Sequence, residues 1–285
     1  MDWHAEKTSP EASLKFPNKP CVWLAIPCFN DPQRLACFLP ELCAALATVP
    51  LRVVVQVVDD GSTPENRKAL HALMESVRPF HPWVRPALFL EHNEGKGAAI
   101  LHGWDAALEE LPVQEGGWVG FLDADGAVSA REVARILARI VANPEARTSL
   151  FASRIQMRGR TVKRHLKRHL TGRIFATLVG TLIDPRIYDS QCGFKLVPTA
   201  AYRRIRPVLE EKRFAFDVEL LAALNHFGFP VEEVPVDWED VPGSKVSLLR
   251  DSWRMFRAVS AIHSRLPGRP GGKGESALAK TPDAL

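Results

Sequence analysis

The chain has 285 residues, 46% of them hydrophobic and 25% charged, with a net charge of +4. That length and balance suit one large α/β domain with an appendage, and a charge so small gives no general reason to expect a nucleic-acid partner. The five cysteines (Cys21, Cys28, Cys37, Cys43 and Cys192) are odd in number and form no C-x-x-C pair, which argues against a disulfide framework or a zinc knuckle and suits a reducing compartment.

Residues 1–20 read as a loose arm, because Pro10, Pro17 and Pro20 interrupt any regular element, and no apolar core of a secretory leader is visible. No stretch approaches the roughly 20 apolar residues that span a bilayer. An apolar run over 22–26 predicts a first strand that ends at Pro27-Cys28-Phe29-Asn30. From about Pro32, Leu35, Phe38, Leu39, Leu42 and Leu46 recur at helical spacing, with Pro40 an awkward interior residue. The β-branched run 51–58 predicts a second strand stopping at Asp59-Asp60-Gly61-Ser62, followed by a polar helix over 64–77. A third strand over 87–90 leads through Asn93-Glu94-Gly95-Lys96-Gly97 into a helix reaching about Leu111. The next strand, Trp118-Val119-Gly120-Phe121-Leu122, ends in Asp123-Ala124-Asp125-Gly126, and a helix over 129–141 follows, with Ser129 as N-cap and Glu132 as its capping-box partner. Four strand-helix alternations predict a mostly parallel sheet covered on both faces, and every polar motif so far falls just after a strand.

The second half differs. A strand is expected over 150–153; the stretch 154–173 then carries many Arg, Lys and His residues and no acid, and residues 174–183 are apolar. A helix over 162–182 would therefore be basic at its start and apolar at its end, a profile suited to a lipid headgroup boundary or to docking its apolar end on the core. Gln191-Cys192-Gly193-Phe194-Lys195 enters a short strand to Val197, residues 216–227 read as a buried helix containing Asp217 and Glu219, and 231–236 as a strand. A Gly243-Ser244-Lys245 loop and an amphipathic helix over 246–262 follow, and the remaining Gly/Pro/Lys-rich stretch is expected to be disordered. Glu219 lies in an apolar helix pattern, where an unpaired carboxylate is costly, so it should pair with a basic residue.

The most telling stretch is the one ending in two aspartates. In an extended segment residues i and i+2 project to one side, so Asp123 and Asp125 could both reach one hard cation that also holds a diphosphate. Taken alone, each of these motifs also suits a simple turn after a strand. Their clustering at the C-terminal ends of strands is what points to a single ligand crevice.

Four motifs stand in order: the strand into Asp59-Asp60-Gly61-Ser62, Asn93-x-Gly95-Lys96-Gly97, Asp123-x-Asp125-Gly126 and Gln191-Cys192-Gly193-Phe194-Lys195. This arrangement resembles the family 2 glycosyltransferases of GT-A fold, and within them the polyprenyl-phosphate (dolichyl-phosphate) glucosyl- and mannosyltransferases. Phe216-Asp217-x-Glu219 and Glu233-Val234-Pro235-Val236-x-Trp238 with Gly243-Ser244-Lys245 are more similar to the dolichyl-phosphate β-glucosyltransferase branch. The resemblance implies a GT-A domain at 21–245 containing the basic segment 154–183, an amphipathic helix at 246–264 and a disordered tail at 265–285. It implies UDP-glucose as donor, with GDP-mannose the other candidate, and inverting transfer to a polyprenyl phosphate.

On that resemblance Asp125 is the first choice of ligand for Mg²⁺ or Mn²⁺, and Asp123 shares the metal or binds the donor's ribose. Asp60, with Asp59 beside it, is expected at the base and ribose, Pro27, Phe29 and Asn30 to wall the nucleotide, and Asn93 and Lys96 to lie at the donor. If the acceptor is a phosphate it is already anionic near neutral pH, and cations to hold it matter more than a base. Arg154, Arg173, Lys195 and Lys245 are candidates for that role, with Arg168 and Arg164 as headgroup contacts, while Asp189 orients the acceptor or acts as base. Many relatives carry transmembrane helices or a hydrophobic C-terminal anchor, whereas this chain ends in a polar tail, so peripheral attachment at the cytoplasmic face of an anionic membrane is expected. The rival readings are transfer to a glycan or other hydroxyl, which requires a base such as Asp189 or Asp217, and a non-catalytic membrane-surface protein.

Overall fold

The computed structural model describes residues 20–110, 117–155, 157, 159–163, 182–239, 241 and 248–267. In chain order these form β1 (Cys21–Cys28), α1 (Pro32–Ala47), β2 (Arg52–Asp59), α2 (Pro64–Val77), β3 (Leu88–Phe89), α3 (Lys96–Glu110), β4 (Trp118–Leu122), α4 (Ala130–Ala142) and β5 (Ser149–Ser153). They continue with β6 (Val162–Lys163), β7 (Phe194–Pro198), α5 (Thr199–Ile205), α6 (Phe216–Phe227), β8 (Val231–Pro235), β9 (Trp238–Glu239) and α7 (Leu248–Arg265).

Seven strands make one sheet in the order β3-β2-β1-β4-β7-β5-β8. Every pairing is parallel except that β7 runs antiparallel to both β4 and β5. Along β1, Val22, Leu24 and Ile26 enter one core while Cys21, Trp23 and Ala25 enter the other, so the strand reads as an unbroken apolar run. The first core is closed by α1, α2 and α4; the second by α3, α5, α6 and the end of α7. The expected parallel-type sheet with helices on both faces is thus what forms.

Local differences have local causes. Pro40 sits inside α1 without ending it, because it lies on the exposed face where the carbonyl left unbonded by its missing N–H can meet water. Ser129 caps α4 by accepting from the Glu132 amide at 3.4 Å, but Glu132 does not complete a capping box. Its carboxylate, buried beside α4, accepts instead from Arg135 at 2.7 Å and Arg160 at 3.1 Å. Residues 162–163 do not begin a helix: they pair with β9 in a separate two-stranded sheet, and residues 164–181, which hold the rest of that expected helix, lie outside the described residues. Just beyond, Ile183 and Ile187 are buried in the second core. The last helix turns its C-terminal half inward, with Val259 and Ile262 buried and Arg265 paired with Glu219, the basic partner that Glu219 was expected to need.

A close helix-sheet approach is at Gly103 of α3, where an added Cβ would come within 2.7 Å of the Ala25 Cβ. Beside it Trp104 donates to the Gly120 carbonyl at 2.8 Å and meets Tyr202 edge-on with centroids 4.9 Å apart. Replacing Gly103 with Val should therefore lower stability by about 2–3 kcal/mol through overpacking, read as an earlier midpoint in urea denaturation; an unchanged midpoint would mean α3 has room to move away from β1.

Candidate active site

β1 lies between β2 and β4, and the chain order reverses there, so a crevice opens at the C-terminal ends of these three strands. The ends of β2 and β4 are two strand spacings apart, about 10 Å. The loop after β1 is held by its own side chains: Asn30, at φ 52° in the left-handed region, accepts from Thr63 N at 2.8 Å and Asn66 Nδ2 at 3.2 Å, while its amide donates to Ser62 Oγ at 2.8 Å. Pro27 is half-buried beneath this loop and Phe29 is exposed.

Asp59 and Asp60 do not lie open to a ligand. Asp59 is fully buried; one carboxylate oxygen accepts from Ser62 N at 3.1 Å and faces Arg67 at 3.2 Å, and the other has no hydrogen-bond partner. Asp60, 3% exposed, accepts from Asn93 Nδ2 at 2.8 Å, Glu94 N at 2.8 Å and Gly95 N at 3.0 Å. Burial pushes its carboxyl above the usual range, and the two backbone amides oppose that. In this structure Asp60 and Asn93 tie the β2 and β3 ends together, and Asp59 supports the turn from below. At the start of α3 the Ala98 amide donates to Lys212 O at 3.0 Å.

Asp123 and Asp125 stand together after β4. Gly193 packs so closely that an added Cβ would fall 2.1 Å from Asp123 Oδ2, and the Asp123 amide donates to the Gly193 carbonyl at 2.8 Å. Lys96 Nζ lies 2.7 Å from Asp123 Oδ1, and burial, which opposes its charge, is outweighed by Asp123 and Asp217, raising its pKa. Among the described residues Asp125 accepts only from Ala127 N, at 3.0 Å; burial and the neighbouring Asp123 raise its pKa against Arg34 and Lys96. The donor set fits a hard divalent cation. Two carboxylates repel one another, a lysine ammonium already answers one of them, and such ions are held by one or two carboxylates plus phosphate and water. Among the described residues no cluster of three or more metal-ligating side chains is found. A cleft of about 430 Å³ opens beside Asp125, with Arg34, Cys37 and Phe38 of α1 on its wall.

Lys195 is corrected as an acceptor contact. It is fully buried, its register partners Phe121 and Phe151 flank it with ring centroids 5.1 Å from the ammonium, and it donates to Cys192 O at 2.8 Å and to Asp217. Arg154 and Asp189 form a two-pronged pair, with Nε and Nη2 each 2.7 Å from a carboxylate oxygen, and the Arg154 amide adds a third bond at 2.8 Å. Burial opposes the Asp189 charge, yet Arg154 overrides it and lowers the carboxyl to about 2. Glu233 braces the turn by accepting from Tyr188 N at 2.9 Å and Asp189 N at 2.7 Å. Arg168, Arg173 and Lys245 lie outside the described residues.

Three contributors escaped the sequence reading. Arg34 donates to Asp31 at 2.7 Å and feels the charges of Asp125 and Asp123; its position one turn into α1 was the available signal. Asp217, a candidate base by sequence, is the partner of Lys195, and Glu233, a motif and strand residue by sequence, braces the Asp189 turn.

The glycosyl transferase family 2 signature matches residues 23–205. Dolichyl-phosphate β-glucosyltransferases are similar over most of the chain: that of Drosophila melanogaster is 32% identical, covering 93% of this chain and 81% of its own length, and that of Saccharomyces cerevisiae is 31% identical, covering 84% and 73%. Among solved structures, glucosyl-3-phosphoglycerate synthase from Mycobacterium tuberculosis, in complex with Mn²⁺, UDP and phosphoglyceric acid, aligns at a TM-score of 0.60 over 95% of this chain and 87% of that one with 14% identity. Mannosyl-3-phosphoglycerate synthase from Rubrobacter xylanophilus aligns at 0.58 over 90% and 76% with 16% identity. A crevice at the sheet's switch point with paired aspartates on its floor, a signature over most of the chain and these likenesses together make this chain a glycosyltransferase of family 2 with the GT-A fold.

Proposed function

We propose that the protein is a divalent-metal-dependent, inverting glucosyltransferase that moves glucose from UDP-glucose to a polyprenyl phosphate, working peripherally at the cytoplasmic face of a membrane. The observation that carries the acceptor class is the two-pronged pairing of Asp189 with Arg154. A carboxyl lowered to about 2 by Arg154 is a feeble proton acceptor at neutral pH. The other acid weighed as a base, Asp217, is buried against Lys195. An acceptor that arrives already ionised, such as a phosphate, needs neither. The names of the relatives support glucose and a dolichyl-type acceptor, and the M. tuberculosis complex, which holds UDP and Mn²⁺, supports a uridine donor.

In this reading Asp123 and Asp125 hold the cation, which when bound neutralises the leaving diphosphate without a proton transfer. Lys96 lies where it can add a further positive charge beside that leaving group, and Phe29 and Asn30 border the nucleotide. Arg154, 5.5 Å from the centroid of the Trp238 ring and held in its plane by Asp189, is assigned to the acceptor side. The residues outside the described set, Arg168, Arg173 and Lys245, are assigned to the acceptor phosphate. No helix among the described residues is long and apolar enough to cross a membrane, so attachment is assigned to the basic stretch after residue 163.

Offered UDP- and GDP-sugars with a polyprenyl phosphate and Mg²⁺ or Mn²⁺, the purified protein should carry glucose from UDP-glucose into the organic phase. Chelation should abolish transfer, and Asp125→Asn should reduce it by about a hundredfold or more with an unchanged melting temperature. Label entering only a water-soluble hydroxyl product would replace the acceptor assignment. Asp189 gives a second check. Its folded pKa of about 2 lies below an unfolded value near 3.9, so its contribution to stability is complete above about pH 5 and fades as the pH falls toward 2. Asp189→Asn should thus narrow its stability deficit in acid, and a deficit constant from pH 7 to pH 3 would contradict the pairing. Finally, changing Arg164, Lys167 and Arg168 together to Gln should weaken sedimentation with anionic vesicles in a salt-sensitive way; equal sedimentation at low salt would move the attachment elsewhere.

A further inference from the structure

Behind the aspartate turn runs a line of alternating charge. From the core outward, Lys195 Nζ is bonded to Asp217 Oδ1; Asp217 Oδ2 is 3.9 Å from Lys96 Nζ; and Lys96 Nζ is 2.7 Å from Asp123 Oδ1. Lys96 and Lys195 lie 5.0 and 5.1 Å from the centroid of the same ring, Phe121. The four charges sum to zero. Lys195 and Asp217 are almost wholly enclosed, whereas 18% of the Lys96 side chain and 36% of the Asp123 side chain remain exposed. Lys96 therefore has two carboxylates in reach and makes a full hydrogen bond to only one of them, since 3.9 Å is too long for such a bond.

We propose that Lys96 is a movable counter-charge that competes with the divalent cation for Asp123, and that Asp217 is the resting place that receives Lys96 when the cation enters. The inference rests on the reading of Asp123 and Asp125 as metal ligands. A divalent cation and an ammonium on the same carboxylate repel one another, so entry of the cation favours displacement of the ammonium. Closing the longer contact to an ordinary hydrogen bond needs a shift of only about 1 Å, well within the freedom of a four-carbon stem. Asp217 can receive the ammonium because its second oxygen makes only that longer contact among the described residues, while Lys195 holds its first oxygen in place. Asp217 is thus a positioning residue that acts through Lys96, and Lys195 fixes Asp217. From the resting place Lys96 still lies beside Asp123.

The test is Mn²⁺ binding without nucleotide, followed by electron paramagnetic resonance of the free ion, in a cycle of variants. Wild type should bind Mn²⁺ and Asp125→Asn should not; if wild type takes up none, the metal reading falls and this inference with it. With that control met, Lys96→Met should tighten Mn²⁺ about fivefold by removing the competitor, on the order of an exposed ion pair. Asp217→Asn should weaken it by a similar factor, because Lys96 is then confined to Asp123. The double variant should bind like Lys96→Met alone. Equal weakening by Asp217→Asn in both backgrounds is the signature of a structural or long-range charge effect and would overturn the relay, as would unchanged or weaker binding by Lys96→Met. Asp217→Asn leaves Lys195 buried without its counter-charge, so Lys195→Met/Asp217→Asn serves as the folded alternative and should show the same loss, again only when Lys96 is present.

Discussion

The site depends on the antiparallel pairing of β7 with β4. In a sheet otherwise built from parallel neighbours, this one reversed strand enters where β4 leaves, so Phe194 pairs with Leu122 and the Asp123 amide extends the contact to Gly193. A strand running the other way would deliver its first residues to the far edge of the sheet. The reversal therefore brings the glycine and cysteine of one loop onto the aspartates of another. The same register sets Lys195 opposite both Phe121 and Phe151, which determines where its charge must be answered.

Position along the chain was legible from the sequence; direction into core or crevice was not. The order of strands and helices follows from apolar runs, helical spacing and turn residues, and the structure departs from it mostly by a residue or two at element ends. Lys195 is the instructive exception. A lysine at a motif's end reads as a surface cation, and nothing local announces that its strand is internal with Asp217 waiting on a helix behind it. Asp60 is hard to read from sequence for a related reason. Asp-Gly after a strand is a good sign of a crevice rim, but whether the carboxylate faces a ligand or ties its own neighbours depends on the distant segment of Asn93 to Gly95. Glu132 shows that even a capping pattern can be outbid, because Arg160, far away in sequence, offers a stronger partner than a backbone amide.

Charge pairing also divides the crevice by chemistry. On one side Asp123 and Asp125 lie close enough that burial and mutual repulsion raise the Asp125 pKa, a site that welcomes positive charge. On the other, Arg154 and Asp189 satisfy one another through three bonds, and Glu233 holds the turn that carries them. One rim thus favours a cation, and the other keeps a guanidinium at a set orientation. Membership of family 2 is consistent with a site that welcomes positive charge, since glycosyl transfer must stabilise a departing anion.

The knot of bonds around Asp60 has a consequence for how a ligand is met. Three donors from the following loop are already anchored on that carboxylate, and Asn30 is locked to Thr63 and Asn66 nearby. This edge of the pocket is thus moulded by folding rather than by the incoming molecule. Little chain entropy remains to be surrendered when any ligand settles there, so selectivity at that edge is one of rigid shape, inherited with the fold and resistant to adjustment by any single side chain.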